Sequence, residues 1–227
     1  GLVGSEMCIR DSNEVAHIPL MIYHPKMAVA GGSRISALTQ TTDLMPTILE
    51  LHGAEKSPQV LGNSLLPYLF EQPCEARKIA LYGIFGGAIN ATDGRYSYFH
   101  YPTVEAAEHL FEYTLMPTRM TSRFAIHELA EATLHPSFNF TKGVPVLRLD
   151  SKTDDRGTPV EVQGLSFTDK QSSLYDLSLD PTQNKPLDDP EITARMQAYI
   201  IDNMKALDAP EEAYQRFGFP LPKTNSN

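Results

Sequence analysis

The stretch IALYGIFGGAINATDGRYSYFHY, residues 79–101, decides the fold of the central part of the chain. Residues 79–85 are mostly apolar, which is typical of a buried strand, and a pair of glycines follows them directly. The sequence TDGR at residues 92–95 is a turn signal. Residues 96–101 then alternate as a strand with one aromatic face, which we assign to the core or the sheet surface. The pattern predicts that these two strands pair.

A second stretch, VAHIPLMIY at residues 15–23, is apolar on both faces. This pattern is typical of a strand that is covered on each side in a mainly parallel α/β sheet. Such a strand needs neighbouring strands that the nearby sequence does not supply. We therefore expect it to belong to a larger sheet.

Residues 40–53, QTTDLMPTILELHG, predict a helix. Thr42 or Asp43 can cap its start, and Pro46 falls in the first turn, where its missing N–H costs little. A glycine closes the helix at its end. The apolar residues that share one helical face are Leu44, Ile48 and Leu51.

The C-terminal part of the chain predicts a small α+β unit. Residues 173–177, SLYDL, are strand-like and lead into a turn at Asp180-Pro181. Asp189 can cap a helix that begins at Pro190. Apolar residues keep helical spacing along that helix, namely Ile192, Met196, Tyr199, Ile200 and Met204.

The middle of the chain has weaker patterns. Residues 104–115 and 123–134 favour helices, and residues 144–149 and 160–162 favour short strands. We therefore divide the chain into 13–78 as the end of a larger α/β domain, 79–220 as a C-terminal subdomain with antiparallel strands and helices, and 221–227 as a tail.

Composition and charge exclude several classes of protein. The 227 residues are 41% hydrophobic, which is enough for one or two globular domains. The net charge of −9 argues against a nucleic-acid partner, because neutralising phosphates needs clustered Lys and Arg. No apolar run approaches the roughly 20 residues of a membrane-spanning helix. Cys8 and Cys74 are too few for a disulfide framework or a zinc site.

Residues 1–12, GLVGSEMCIRDS, do not blend into the sequence that follows. They resemble a translated sequencing-adapter tail, an artefact that we exclude from the fold. We expect the natural N-terminus to lie upstream of them. The sequence therefore leaves the cellular compartment open.

Four segments carry a family resemblance. They are HIPLMI at residues 17–22, QTTDLMPTIL at 40–49, G-x-S-L-L at 62–66 and LYDLxxDP at 174–181. In this order they resemble the C-terminal portion of sulfatases, within the alkaline-phosphatase-like superfamily. The resemblance implies an α/β fold with the outer part of a mainly parallel sheet and its helices. A small C-terminal subdomain with antiparallel strands and a terminal helix would follow.

The resemblance also implies a chemistry. Sulfatases hydrolyse sulfate esters, here of a small molecule or a saccharide, with calcium and a formylglycine made in a Cys/Ser-x-Pro-x-Arg motif. Cys74 is followed by EARK and so lacks the proline and arginine of that motif. The pairs Asp154-Asp155 and Asp188-Asp189 suit a solvated loop and a helix cap. The nucleophile and the calcium would then belong to the parent enzyme, and the chain alone would bind no cofactor and be inactive.

Three residues are candidates for the site, His17 for a catalytic role and Phe85 and Asn90 for substrate binding. His17 begins the strand predicted at residues 15–23, at the edge where open α/β sheets bind ligands, and could donate a proton or a hydrogen bond. Phe85 and Asn90 flank the glycine pair in FGGAIN, and paired glycines allow a ligand to approach the backbone closely. The competing interpretations are a surface histidine and a tight connection.

Two other functions fit the sequence. A phosphonate or phosphate ester hydrolase of the same superfamily would use an unmodified threonine or a similar nucleophile. A non-catalytic binding protein would use the sheet edge as its contact surface and would fold independently.

Overall fold

The computed structural model describes residues 16–83, 85–103, 110–116, 118, 123–151 and 171–222. The strands in this part of the chain are β1 (Ala80–Gly83), β2 (Ile89–Thr92), β3 (Tyr96–His100), β4 (Phe111–Thr114), β5 (Thr133–His135), β6 (Val146–Asp150) and β7 (Ser173–Asp176). The α-helices are α1 (Leu44–Leu51), α2 (Leu66–Leu69), α3 (Ile126–Ala130), α4 (Pro190–Ala206) and α5 (Glu211–Arg216). Together they form a mixed α/β structure with two antiparallel sheets.

Sheet A contains β1, β2, β3 and β7 in that order, and each neighbouring pair is antiparallel. Helix α4 packs against β2 and β3. The buried core consists of Ala91, Tyr98, Leu174, Met196, Ile200, Met204, Tyr214 and Phe219. Tyr98 is only 2% exposed, so the aromatic face predicted for residues 96–101 lies in the core.

The predicted pairing of residues 79–85 with residues 96–101 is wrong. β2 lies between them, with Leu81 opposite Ala91 and Ala91 opposite Tyr98. The chain reverses directly after β1 because Gly83 has a positive φ of 153°. A Cβ at Gly83 would lie 2.4 Å from the carbonyl oxygen of Ala88, so the reversal requires glycine there.

Sheet B contains β4, β6 and β5, again with antiparallel neighbours. The strand predicted at residues 144–149 corresponds to β6. The helix predicted at residues 104–115 is wrong in its described part, because the β-favouring sequence FEYT forms β4 and pairs with β6. Of the helix predicted at 123–134, residues 126–130 form α3 and the chain then enters β5. Residues 160–162 lie outside the described part.

The buried strand predicted at residues 15–23 is also wrong in its described part. Residues 18–23 are without strand structure, and Met21 and Tyr23 are 89% and 79% exposed. A strand needs neighbours for its backbone hydrogen bonds, and no strand of the described residues lies beside this segment. The mainly parallel sheet and the division at residue 78 therefore stay predictions.

The helix predicted at residues 40–53 is confirmed as a 3-10 turn, Thr41–Asp43, followed by α1. The buried side of this helix is not its apolar face. Pro46 and Thr47 are buried, whereas the face formed by Leu44, Ile48 and Leu51 is 38%, 55% and 41% exposed. We call the face formed by Leu44, Ile48 and Leu51 the outer apolar surface. Residues 18–23 form a second segment with exposed apolar side chains.

The C-terminal helix α4 is confirmed with its predicted cap. One carboxylate oxygen of Asp189 accepts hydrogen bonds from the backbone N–H groups of Glu191 and Ile192 at 3.1 and 3.0 Å. Met196 and Ile200 on its inner face are fully buried. Within the described residues, none of the helices has both the length and the apolar character needed to cross a membrane.

Two aspartates of the LYDLxxDP segment fix the chain after β7. Asp176 is buried and accepts from the Arg95 guanidinium at 2.8 Å and from the Ser178 N–H at 3.0 Å. These hydrogen bonds, from Arg95 first and then from Ser178, lower the pKa of Asp176 to about 2. Asp180 accepts from the Lys185 N–H at 2.7 Å. The segment is thus a structural signature, because its carboxylates satisfy the backbone of the turn.

Candidate functional site

A side chain of α5 holds the connection between β1 and β2. We call residues 85–88 the glycine loop. Gly86, Gly87 and Ala88 are buried, while Phe85 is 59% exposed. The guanidinium of Arg216, at the end of α5, donates a hydrogen bond to the carbonyl of Gly86. A hydrogen bond from Arg216 therefore holds the backbone of the loop, and Phe85 is its exposed aromatic side chain.

Asn90 is the most unusual polar residue near this loop. It lies in the middle of β2 with 0% exposure, and neither its amide nitrogen nor its carbonyl oxygen has a hydrogen-bond partner. Its cross-strand neighbours are Tyr82 and Phe99. A buried polar group without a partner costs about 1–3 kcal/mol. A hydrogen-bonding group brought to this position would thus be stabilised.

His17 does not join these two residues. It is exposed in the segment before the outer residues 18–23, and no described contact links it with the glycine loop or with Asn90. Its predicted catalytic role stays a prediction.

Asp43 has a larger role than the helix cap that its sequence position suggests. It is 1% exposed, and its carboxylate accepts from the backbone N–H groups of Gln40 at 2.7 Å and Asn63 at 2.8 Å. It also forms an ion pair with Arg77, which donates in turn to the Gln40 side chain at 2.8 Å. This network could not be predicted from the sequence, because Asn63 and Arg77 lie 20 and 34 residues from Asp43 along the chain.

The same network connects α1 with sheet A. The Gln40 side-chain amide donates to the carbonyl of Leu81 in β1 at 2.7 Å. The hydroxyl of Thr47 donates to the Asp43 carbonyl and accepts from the Leu65 N–H at 2.8 Å. Two of the segments that carry the family resemblance, residues 40–49 and 62–66, therefore meet and fix the strand that precedes the glycine loop.

A small cavity of about 200 Å³ opens beside the ion pair of Asp43 and Arg77. It is also lined by Tyr68 and Cys74. Burial raises the pKa of Tyr68, and its hydrogen bond with the Cys74 thiol raises it further. Cys74 is a free, exposed thiol.

His100, at the end of β3, belongs to a buried hydrogen-bonded chain. Its Nε2 lies 2.8 Å from the carbonyl of Phe217, and its Nδ1 lies 2.9 Å from the hydroxyl of Tyr98. A carbonyl only accepts, so we assign the proton to Nε2 and let Nδ1 accept from Tyr98. The Tyr98 oxygen accepts in turn from Gln197 at 2.9 Å. Burial lowers the pKa of His100, against the raising effect of its bond to Phe217.

The described residues contain no group of three or more His, Cys, Asp or Glu side chains arranged to hold a metal ion. Asp189 serves as the cap of α4, in agreement with its sequence interpretation. Asp154 and Asp155 lie outside the described part of the chain.

The predicted relationship to sulfatases is confirmed by sequence similarity. The relative is the N-acetylglucosamine-6-O-sulfatase of Bacteroides thetaiotaomicron, which is 38% identical over 72 residues. The match covers 30% of this chain and 13% of the length of that relative. No protein-family model matches the chain.

Two solved structures from Bacteroides thetaiotaomicron are similar at low sequence identity. One, assigned as a sulfatase, has a TM-score of 0.40 at 16% sequence identity. The matched region covers 81% of this chain and 27% of the chain in that structure. The other comes from a locus for the metabolism of multiple glycosaminoglycans and has a TM-score of 0.37 at 13% identity. The matched region covers 72% of this chain and 24% of the chain in that structure.

Proposed function

We propose that this chain forms part of a sulfuric ester hydrolase whose substrate is a small or saccharide sulfate ester. The single observation that carries the proposal is the 38% identity over 72 residues with a sulfatase. The formylglycine nucleophile and the calcium ion would be supplied by polypeptide other than the described residues. The chain alone would then be inactive, since even one general acid or base contributes about 10²–10⁴-fold to a rate.

The outer apolar surface supports this proposal. Ile48 on this surface is 55% exposed, and Met21 in the segment 18–23 is 89% exposed. Burying such side chains stabilises a protein by about 25 cal/mol per Å². The remaining polypeptide of the hydrolase would cover these exposed apolar side chains.

The glycine loop is the part of the chain that we propose to contact the substrate. Phe85 is exposed at its tip and can pack against the apolar face of a sugar ring. Asn90 has an unpaired donor and an unpaired acceptor, but its side chain is 0% exposed, so a saccharide hydroxyl or amide group would reach it only after a rearrangement of the loop.

The reading frame upstream of Asn13 tests the proposal. Expression of this frame together with the chain should give a protein that releases sulfate from 4-nitrophenyl sulfate or from N-acetylglucosamine 6-sulfate. The frame should also contain a Cys/Ser-x-Pro-x-Arg motif. The matched control is the 227-residue chain alone, which should release none.

Other results would decide for the alternatives. Cleavage of phosphate or phosphonate esters, without sulfate release, would identify the other hydrolase class of the superfamily. A chain that unfolds cooperatively as a monomer, binds no dye for exposed apolar surface and lacks a hydrolase sequence upstream would indicate a non-catalytic binding protein.

A further inference from the structure

We propose that Arg216 is a positioning residue that holds the glycine loop in the conformation that contacts the substrate. The part about the substrate rests on the proposed function, whereas the part about the loop is independent of it. Helix α5, although distant in sequence from the glycine loop, would then stabilise the candidate site.

The contact between Arg216 and the loop is buried. Arg216 is 6% exposed, and its Nη2 donates to the carbonyl of Gly86. Gly86 has a positive φ of 78°, a conformation that glycine adopts without the steric cost it has for other residues. The hydrogen bond thus acts at the point where the loop backbone turns.

The backbone of Arg216 is itself fixed to sheet A. Its carbonyl accepts from the Thr103 N–H at 3.1 Å, and the next carbonyl, of Phe217, is bound by His100 at 2.8 Å. Tyr214, two residues earlier in α5, is fully buried. Because the base of the side chain cannot shift, its guanidinium defines the position of the loop.

The choice of arginine also argues for positioning. Taking a guanidinium out of water is costly, and well-packed apolar residues often replace buried charges without loss of stability. A residue that only filled space beneath the loop would therefore be apolar. Arginine adds a planar group with several donors in fixed geometry, which lysine does not reproduce.

Hydrogen exchange of the full chain tests the contact. In Arg216→Met the amides of residues 86–88 should exchange about tenfold faster, while those of Met196 and Ile200 in α4 stay within about twofold of the wild type. Arg216→Lys should give an intermediate rate. The matched control is Arg195→Met, which removes an exposed arginine bound to Asp93 at 3.0 Å and should leave the loop unchanged.

Two outcomes of the exchange experiment would overturn the contact. One is an unchanged loop in both Arg216 variants. The other is equal acceleration of the loop and of α4, which would mean a general loss of stability. If Arg216→Met does not fold, Arg216→Lys decides by the same criteria.

Kinetics of the longer hydrolase test the role in substrate contact. Arg216→Met should raise KM for the cleaved sulfate ester about tenfold and leave kcat within about threefold, with partial recovery in Arg216→Lys. An unchanged KM together with faster loop exchange would remove the loop from the substrate site. Failure of the wild type to cleave any sulfate ester would instead refute the proposed function, and the exchange result would still decide the contact.

Discussion

The imidazole of His100 stacks on the ring of Phe219, with the ring centroids 4.3 Å apart and the planes inclined by 13°. The same imidazole binds the carbonyl of Phe217. One buried side chain of β3 therefore holds the segment that follows α5. This arrangement makes the stability of the C-terminal end sensitive to the charge of a single ring.

We expect the free energy of unfolding to fall as the pH drops below about 6.5. Burial lowers the pKa of His100 from its ordinary value of 6.5, so the unfolded chain binds a proton more readily than the folded one. Stability is therefore complete above the unfolded pKa and is lost as the pH falls from there through the lower folded pKa. Urea unfolding at pH 7.5, 6.0 and 5.0 measures the effect.

His100→Gln should flatten this pH dependence, because glutamine carries no titratable proton. The control is His127→Gln, which changes an exposed histidine on α3 and should keep the wild-type slope. If the free energy of unfolding of His100→Gln kept the full wild-type pH dependence, His100 would not be the group that causes it.

We expect Asp43→Asn to reduce the free energy of unfolding by about 3 kcal/mol. The change leaves the largely buried guanidinium of Arg77 without its charged partner and weakens acceptors for two backbone N–H groups. Chemical denaturation measures the loss. In the double variant with Arg77→Met the loss should be smaller than the sum of the two single losses. Simple additivity would show that the two side chains act separately.

Gly62→Ala should destabilise the chain by about 2–4 kcal/mol. A Cβ at Gly62 would lie 2.0 Å from the carbonyl oxygen of Thr42 and 2.9 Å from the Cα of Asp43, so the backbone must move. Gly31→Ala is the matched control, since its Cβ meets nothing within 4 Å. Equal melting temperatures for the two variants would refute the close approach of the segments at residues 40–49 and 62–66.

The outer apolar surface should bind a dye that fluoresces on exposed apolar groups. The double variant Ile48→Glu, Leu51→Glu should lower the fluorescence at least twofold, because both side chains lie on this surface. Its melting temperature should change little, since neither residue is buried. A strong loss of stability would show that the α1 face packs within the chain.

Local signals in the sequence predicted a large part of the fold. The TDGR turn marks the connection before β3, and Asp189 caps α4, since both depend on neighbouring residues alone. Strand β2 was missed because its four residues lie between a glycine pair and a turn signal. Nothing in its length separates it from a loop.

The orientation of α1 shows a different limit. Its apolar face predicts burial, but the hydrogen bonds of Asp43 and Thr47 hold the other face inside. Polar networks of this kind join residues far apart in sequence and leave no periodic pattern. For the same reason the sequence of the short helix α5 does not predict the contact of Arg216 with Gly86.

The pairing of β3 with β7 has a consequence for the intervening chain. Phe99 lies opposite Ser173, and the Tyr101 N–H donates to the Ser172 hydroxyl at 3.1 Å just beyond the ladder. The intervening polypeptide, which includes sheet B, thus leaves sheet A after β3 and returns to it at β7 at adjacent points. A short hairpin turn would also fit there. The ladder of β3 and β7 therefore sets no length for the intervening polypeptide, and a change in that length need not alter the strand pairing.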